Sequence, residues 1–324
     1  DYIEGTTRMT NVLYGNHCTS INVRGCLGKI TLRNLCVDGA NDLFGDDLVH
    51  TGEYGFNISN SNIVLEHCAA MRCKRAGVFV KNSDVSITSG MTCYRNYEKE
   101  GATRGLLGND EYGIGLHAVN SDINFATIDE TGDEFTNAEQ YNERGNPYNF
   151  AKNDVGIFLE SSKLHGGTLW NGTNIPARTR GTNLDLVTSF IRTFGNDVGL
   201  KMESSNITYL GILESFLNNT GIEANNSVLK LTQFDIQDNA IVGFNLDNSK
   251  LEYGYKGDLL IGVTEGHNSN SIEGYKRSYT CSRNGQNLII KNSSQVVPSN
   301  VGDLTTNLGS WGGPGTEIGE LGLL

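Results

Sequence analysis

Proline, long apolar runs and positive charge are all scarce in this sequence. Its 324 residues include only four prolines, and no apolar stretch approaches the roughly 20 residues that a helix needs to cross a bilayer. Lys and Arg number 25 against 37 Asp and Glu, which gives a net charge of −12. Nucleic acid binding requires a basic surface, so this charge argues against a nucleic acid partner. The missing apolar run argues against membrane insertion.

Familiar catalytic and metal-binding patterns are missing as well. The sequence has no GxSxG motif, no P-loop and no EF-hand spacing, and the segment 67–73 (His-Cys…Cys) lacks the second ligand pair of a zinc site. We therefore predict no catalytic residue, no metal site and no cofactor. We interpret the acid-rich segments 38–47, 109–111 and 129–134 as solvated loops, with Ca²⁺ or Mg²⁺ binding as the alternative.

The seven cysteines are an odd number, and six of them fall within the first 93 residues. Cys68, Cys73 and Cys93 lie in apolar stretches of the chain, and we interpret them as buried small apolar residues. Disulfides between stacked repeats are the alternative, so the sequence leaves the redox compartment open. Because the chain starts at Asp1 without Met, we interpret it as a processed protein or a segment of a longer one.

Gly, Asn and Ser, in contrast, are abundant and follow a fixed pattern. A Gly is followed five residues later by Asn-Ser or Ser-Ser, and this unit occurs seven times. The paired positions are Gly55/Asn60, Gly77/Asn82, Gly115/Asn120, Gly156/Ser161, Gly199/Ser204, Gly221/Asn226 and Gly243/Asn248. The Ser positions of successive units differ by 22, 38, 41, 43, 22 and 22. A fixed period of this size with insertions is typical of a solenoid.

Each repeat predicts three short strands separated by bends. In the repeat 77–87, apolar residues alternate with polar ones on both sides of Asn-Ser, which is the two-residue period of a strand. The Asn and Ser side chains can bond to nearby backbone groups and support a bend. The repeat Gly suits a position that needs positive φ or a close backbone approach. A looser third apolar stretch runs into an Asn, as at Asn96, Asn219 and Asn239.

The period predicts an all-β fold, a right-handed single-stranded parallel β-helix with about 22 residues per coil and roughly a dozen coils. We assign residues 1–300 to this helix, with degenerate coils over 254–300. Residues 301–324 are Gly-rich and predict a C-terminal tail or cap. A propeller repeats at about twice this period, and a sandwich has no reason to keep a strict spacing.

The three long spacings predict inserted loops at about 97–112, 129–154 and 167–194, which we expect to project from one side of the rod. Aromatic and Arg side chains are enriched at interaction surfaces. The insertions therefore supply six candidate binding residues: Tyr141, Arg144, Tyr148, Trp170, Arg178 and Arg180. Two alternatives remain open: the aromatic side chains bury one another, or the third insertion is a further degenerate coil.

Paired carboxylates would indicate polysaccharide cleavage, because acid–base chemistry at a glycosidic bond needs two of them. The outward positions predicted for the first two strands of each repeat do not collect acids. In the third strand, Glu214 and Asp235 lie on adjacent repeats, but their separation along the chain is one position short of the repeat period. We therefore expect them to be out of register, and the sequence does not predict a catalytic pair there.

The repeats 77–87 and 243–253 resemble the Asn-Ser-punctuated coils of large β-helical virion proteins, the tail fibre and tailspike family of tailed, particularly marine, bacteriophages. The resemblance covers about residues 50–300. It implies a long extracellular virion component that associates with other virion proteins or with copies of itself, and that engages cell-surface polysaccharide. Tailspikes that cleave glycans use acidic residues, and none is carried over because no matching motif is present.

These observations favour a non-enzymatic structural or adhesive β-helix, a rigid rod of a virion that engages structural proteins or host surface glycans. One alternative is a polysaccharide lyase or hydrolase that works in a groove beside the inserted loops. The other is a bacterial surface adhesin, which would place the protein in a secreted or cell-surface location.

Overall fold

The structure of the protein is a computed structural model. It describes residues 2–4, 12–14, 21–26, 28–39, 53–96, 113–126, 146–167, 189–253 and 279–298. All regular secondary structure among these residues is β-strand. The strands are β1 (Tyr2–Glu4), β2 (Val12–Tyr14), β3 (Ile21–Arg24), β4 (Ile30–Arg33), β5 (Cys36–Asp38), β6 (Tyr54–Ser59), β7 (Asn62–Met71), β8 (Ala76–Lys81), β9 (Asp84–Tyr94), β10 (Ile114–Val119), β11 (Asp122–Ala126), β12 (Asn146–Ala151), β13 (Val155–Glu160), β14 (Lys163–Gly166), β15 (Ser189–Phe194), β16 (Val198–Glu203), β17 (Asn206–Phe216), β18 (Thr220–Asn225), β19 (Val228–Gln237), β20 (Val242–Asp247), β21 (Lys250–Tyr253), β22 (Tyr279–Ser282), β23 (Gln286–Lys291) and β24 (Gln295–Pro298).

The strands form two parallel sheets. Sheet I has nine strands in the order β23-β20-β18-β16-β13-β10-β8-β6-β3, and sheet II has fifteen. Neighbouring strands come from successive repeats: β18 pairs with β20 in the register Thr220↔Val242, two positions that are one repeat period apart. The predicted all-β class and the parallel pairing of successive repeats are therefore confirmed.

Alternating burial explains why these segments become strands. In β8, Val78 and Val80 are fully buried, whereas Phe79 is half-buried and Lys81 is exposed. The inward side chains of both sheets belong to one apolar cluster that extends from Leu32 to Val296. Full burial of a Val, Leu, Ile or Phe side chain contributes about 1.5–3 kcal/mol, so this core is the main source of cohesion between the sheets.

The predicted boundaries of two insertions are wrong at their C-terminal ends. Residues 146–151 were assigned to a projecting loop, but they form β12, which pairs with β9 and β15. Likewise, β15 (189–194) pairs with β12 and β17 inside sheet II. Tyr148 and Phe150 are buried on either side of partly exposed Asn149, and Ile191 and Thr193 are buried on either side of partly exposed Arg192. This alternation is that of the other strands, which is why both segments join the sheet.

Other predicted boundaries lie outside the described residues, among them the first insertion (97–112) and the tail (301–324). Of the predicted degenerate coils over 254–300, the structure describes 279–298. There β22 and β24 extend sheet II and β23 extends sheet I. No helix long and apolar enough to cross a membrane occurs in the part of the chain that the structure describes.

The six cysteines that the structure describes are free thiols, and five of them are buried. Burial raises the pKa of the Cys68 and Cys281 thiols to about 12 and raises that of Cys93 as well. Cys68, Cys73 and Cys93 are fully buried, which agrees with their interpretation as small apolar core residues.

Candidate functional site

The first bend of each repeat is held by a serine ladder, in which the main-chain N–H of one Ser donates to the Oγ of the Ser in the next repeat. The seven N···Oγ distances are 2.9–3.2 Å. The ladder residues are Ser61, Ser83, Ser121, Ser162, Ser205, Ser227, Ser249 and Ser294. The hydroxyls of the first seven also donate to the carbonyl oxygen two residues earlier, as Ser205 does to Glu203 at 2.7 Å. The main-chain N–H and the hydroxyl of a ladder Ser such as Ser205 therefore both have a hydrogen-bond partner within the protein.

The residue before each of the first seven ladder Ser has left-handed backbone geometry. Its φ lies between 48° and 50° at all seven positions, which are Asn60, Asn82, Asn120, Ser161, Ser204, Asn226 and Asn248. Asn is among the few residues that adopt this conformation readily, which explains its prevalence. The pattern weakens at the C-terminal end, where Asn292 keeps the geometry (φ 54°) but Ser294, not Ser293, supplies the ladder hydroxyl.

The repeat glycines serve close approach rather than positive φ. A Cβ added at any of the seven would lie 2.9 Å or less from a backbone carbonyl oxygen of the next repeat. These glycines are Gly55, Gly77, Gly115, Gly156, Gly199, Gly221 and Gly243, and none has a left-handed φ. Of the two reasons that the sequence offers for Gly here, the structure therefore supports contact between stacked backbones.

The third bend carries an asparagine ladder. Two of the three Asn residues that the sequence predicts at this position, Asn96 and Asn239, belong to it. Each side-chain Oδ1 accepts the main-chain N–H of the preceding repeat at 2.9–3.1 Å. Cys73 donates the first of these bonds, and the ladder side chains are Asn96, Asn153, Asn196, Asn218, Asn239 and Asn284. The first five are 2% exposed or less. Asn219, which was predicted to take this position, is exposed and instead donates to Asp197 at 2.9 Å.

A column of polar side chains runs along the outward face of the third strands. Register pairing places Asn149, Arg192, Glu214 and Asp235 side by side on β12, β15, β17 and β19. The prediction that Glu214 and Asp235 are out of register is therefore wrong. A β-bulge explains the difference, because residues 210–211 of β17 stand opposite the single residue 232 of β19. The two carboxylates lie on neighbouring strands, which are about 4.8 Å apart in a sheet.

The two carboxylates of this column are in different environments. Glu214 accepts a hydrogen bond from the Nε of Arg192, and its side chain is 18% exposed. Burial raises the pKa of Glu214, Arg192 opposes that shift, and the charge of Asp235 adds to it. Asp235 accepts a hydrogen bond from Gln237. A pair of adjacent carboxyl groups is the arrangement that acid–base catalysis at a glycosidic bond uses.

An aromatic column lies beside the polar one on the same face. Tyr94, Ala151, Phe194, Phe216 and Gln237 are paired in register along it. The rings of Phe194 and Phe216 are stacked, with centroids 5.4 Å apart and an interplanar angle of 5°. Both are partly exposed, and the following Leu217 is 62% exposed. We call the polar and aromatic columns together the axial face, since both run along the direction in which the repeats stack.

Tyr148 does not belong to any exposed surface, so its interpretation as a binding residue is wrong. Its side chain is fully buried, its hydroxyl donates to the carbonyl oxygen of Ile87 at 3.2 Å, and its ring packs against Phe125 with centroids 4.6 Å apart. The physical reason is that β12 is a sheet strand in which Tyr148 and Phe150 point into the core. The other five candidates, Tyr141, Arg144, Trp170, Arg178 and Arg180, lie outside the described residues.

Sheet I also carries rings on its outward side, but these rings are covered. The His117 ring lies between those of Phe79 and Phe158, with centroids 5.3 and 4.9 Å away, and its Nε2 lies 2.9 Å from an oxygen of Glu160. The Nζ of Lys201 lies 4.8 Å from the Phe158 ring centroid. His117 is 7% and Phe158 is 1% exposed, so this stack behaves as a small second core rather than as a binding surface.

Among the residues that the structure describes, no group of three or more His, Cys, Asp or Glu side chains is arranged to hold a metal ion. Asp38, the one described acidic residue of the segment 38–47, forms an ion pair with Arg72. The segments 109–111 and 129–134 lie outside the described part of the chain. Comparison with known protein families, curated proteins and solved structures finds no match for this chain.

Proposed function

We propose that this protein is a structural and adhesive rod of a virion, built as a right-handed, single-stranded parallel β-helix with about 22 residues per coil and roughly a dozen coils. The observation that carries the proposal is the pair of ladders, because every bend that they occupy is hydrogen-bonded to the next repeat. Parallel crossover connections are right-handed in nearly all proteins, which supports the handedness. The resemblance of repeats such as 77–87 to β-helical virion proteins supports the setting, outside the host cell.

The axial face supports the adhesive part of the proposal. Partly exposed rings at Phe194 and Phe216 offer an apolar platform for a sugar ring, and Arg192, Glu214 and Asp235 offer hydrogen-bond donors and acceptors for its hydroxyls beside it. A cell-surface polysaccharide is thus the ligand class that this face suits. Other virion proteins and further copies of the chain are the partners proposed for the rest of the rod. A secreted or cell-surface adhesin would use the same physics.

Glycan binding by single-residue variants tests this proposal. We expect the protein to bind a subset of bacterial capsular and algal polysaccharides, and Phe216→Ala to weaken that binding about tenfold through loss of the stacked platform. Phe79→Ala, on the outward side of sheet I, is the matched control and should leave binding unchanged. Equal weakening by both variants, or no binding to any polysaccharide, would remove the adhesive role of the axial face.

Polysaccharide cleavage is the second candidate, and the in-register pair Glu214 and Asp235 favours it. In this mechanism Glu214 transfers its proton to the glycosidic oxygen as the C–O bond breaks. Asp235, one strand spacing away, attacks the anomeric carbon and forms a glycosyl ester. Glu214, now deprotonated, then accepts a proton from the water molecule that hydrolyses this ester and releases Asp235. The raised pKa of Glu214 suits it to the acid role.

The release of new reducing or unsaturated ends from polysaccharide decides between the two candidates. Turnover that is lost in Glu214→Gln and Asp235→Asn but kept in Glu223→Gln, an outward acid on sheet I, would replace the structural proposal by the enzymatic one. Absence of turnover with polysaccharides that the protein binds supports the non-enzymatic rod.

A further inference from the structure

The polar column of the axial face is ordered by charge along the direction in which the repeats stack. An uncharged amide and a cation come first and two carboxylates follow, in the order Asn149, Arg192, Glu214 and Asp235. When this order is laid against its own reverse, Arg192 meets Glu214 and Asn149 meets Asp235. The column is therefore complementary to a second copy of itself that runs in the opposite direction.

The third bend beside the aromatic column has the same symmetry. Lys152 follows β12 and Asp238 follows β19, and between them Gly195 follows β15 and Leu217 follows β17. On reversal Lys152 meets Asp238, and Leu217, which is 62% exposed, meets a Gly without a side chain. Asp238 accepts hydrogen bonds from Arg283 of its own chain, and a carboxylate has further lone pairs for an ammonium group.

The aromatic column is matched about the same midpoint, between β15 and β17. Phe194 and Phe216 stand on these two strands with stacked rings, so reversal brings Phe194 of one copy onto Phe216 of the other. Ala151 and Gln237 flank the rings, and the short side chain again meets the long one. Charge, shape and apolar surface thus share one centre of symmetry across three adjacent columns.

We propose that the axial face binds the axial face of a second copy of this chain, in an antiparallel pair whose two-fold axis runs along the strands between β15 and β17. Such a contact is isologous, since the same patch of both copies takes part. The Phe194 and Phe216 rings of the two copies form one apolar cluster. Beside it, the Arg192 and Glu214 side chains of the two copies form a square of alternating charge, because each is paired within its chain and faces an opposite charge across the contact.

The extent of the matched surface predicts a weak dimer. The four strands β12, β15, β17 and β19 span three strand spacings, or about 14 Å. The next pair outward brings together Arg95 and Arg283, which ends the complementarity. A contact of this size is smaller than those of stable dimers, and the net charge of −12 adds repulsion between the copies. We therefore expect a dissociation constant on the order of 100 µM.

This inference goes beyond the proposed function, because it assigns a second copy of the chain to the axial face itself and not only to the rest of the rod. A polysaccharide and a second copy would both cover the rings of Phe194 and Phe216. The two partners therefore exclude each other, and the dimer is the state of the protein without a glycan.

Two charge reversals, alone and mixed, test the inference by sedimentation velocity over a series of protein concentrations. Arg192→Glu opposes carboxylates across its own dimer, and Glu214→Arg opposes guanidinium groups, so each variant alone should dimerise at least about tenfold more weakly than wild type. An equimolar mixture of the two variants should dimerise about as tightly as wild type, because each new charge then faces an opposite charge. A role of these side chains within one chain cannot produce this recovery, since mixing leaves the contacts within each chain unchanged.

Lys230→Glu and Glu252→Lys are the matched controls. They reverse the same charges in a pair 4.0 Å apart on β19 and β21, outside the axial face, and each should dimerise within about twofold of wild type. Thermal melts followed by circular dichroism compare the folding of all variants. Should a reversal unfold the chain, Leu217→Ser tests the same contact and should weaken the dimer about tenfold. Its control is Ile241→Ser, since Ile241 is 59% exposed but directly precedes β20 of sheet I.

Several outcomes would overturn the inference. These are a wild type that stays monomeric at every concentration, a trimer or larger assembly, no weakening in either reversal, and a mixture as monomeric as its components. The proposed adhesive function is decided separately, by the binding of polysaccharide to the wild type and to Phe216→Ala. A protein that dimerises but binds no polysaccharide keeps this inference and loses the adhesive role, and a monomer that binds polysaccharide does the reverse.

Discussion

Replacement of one buried Asn in the third bend should destabilise the protein far more than the same replacement of its neighbour. The side chain of Asn218 is 2% exposed and accepts the main-chain N–H of Asn196 at 3.0 Å. Its amide donates to the Thr193 carbonyl oxygen and to Asn239 Oδ1, both at 3.1 Å. Asn218→Ala removes all of these bonds.

The magnitude follows from the groups that lose a partner. The N–H of Asn196, buried in the bend, becomes an unsatisfied donor, which costs about 1–3 kcal/mol, and the side-chain amide of Asn196 loses its acceptor at 3.0 Å at a similar cost. We therefore expect Asn218→Ala to lower the free energy of unfolding by about 3–5 kcal/mol. Asn219→Ala breaks only an exposed bond to Asp197, so a loss within about 0.5 kcal/mol is expected.

Urea unfolding followed by circular dichroism measures both variants against wild type. The midpoint for Asn218→Ala should fall clearly while that for Asn219→Ala stays close to wild type, with unchanged slopes. If the two variants lose similar stability, the asparagine ladder does not have the register described above.

Three further outcomes are expected. Gly221→Ala places a Cβ 2.6 Å from the Gly243 carbonyl oxygen and should cost about 3 kcal/mol in urea unfolding. Cys68, with its pKa raised by burial to about 12, should resist a thiol reagent at mildly alkaline pH in the native protein, whereas half-buried Cys26 reacts. Burial raises the pKa of Glu214 above its ordinary value of 4.5, so the folded protein binds that proton more tightly than the unfolded chain does. The wild type therefore loses stability as the pH rises above that ordinary value, and Glu214→Gln should gain stability relative to wild type in the same direction.

Each of these expectations has a control. Gly28→Ala adds a Cβ with no atom within 4 Å and should leave the urea midpoint within about 0.5 kcal/mol of wild type, which separates close approach from the general effect of a Gly replacement. Both thiols should react at comparable rates once the chain is unfolded, and equal rates in the native protein would contradict the burial of Cys68. Parallel pH profiles for wild type and the Glu214 variant would contradict the direction of the pKa shift.

The architecture could be predicted from local chemistry. Alternation of apolar residues fixes strands, the Asn and Ser side chains support a bend by themselves, and the repeat period sets which strands become neighbours. The sequence does not show why each repeat has a Gly at this position, because a positive φ and a close approach of two backbones both favour Gly. Only the stacked carbonyl oxygen, 2.6 Å from a Cβ at Gly221, distinguishes them.

The third strands were less predictable, for physical reasons that differ between positions. Asn218 and Asn219 are adjacent and chemically identical. The spacing between the ladder Asn and the repeat Gly does not identify the buried one, because it is three residues at Asn218 but four at Asn239. Glu214 and Asp235 fall into register through a β-bulge, which a count of residues along the chain does not reveal. Tyr148 was misassigned because the length of an insertion does not specify where in the repeat the extra residues sit.

Both ladders run in one direction, and this has a consequence for biosynthesis. The main-chain N–H of each bend donates to a side chain that lies one repeat later in the chain, as Ser205 does to Ser227 and Asn196 does to Asn218. A ribosome delivers the chain from its N-terminus, so the bend N–H groups of a newly emerged repeat have no ladder partner until the following repeat has been synthesised. Completion of the structure therefore trails translation by one repeat, and a ribosome that stalls leaves the last finished repeat with its bend donors unmet.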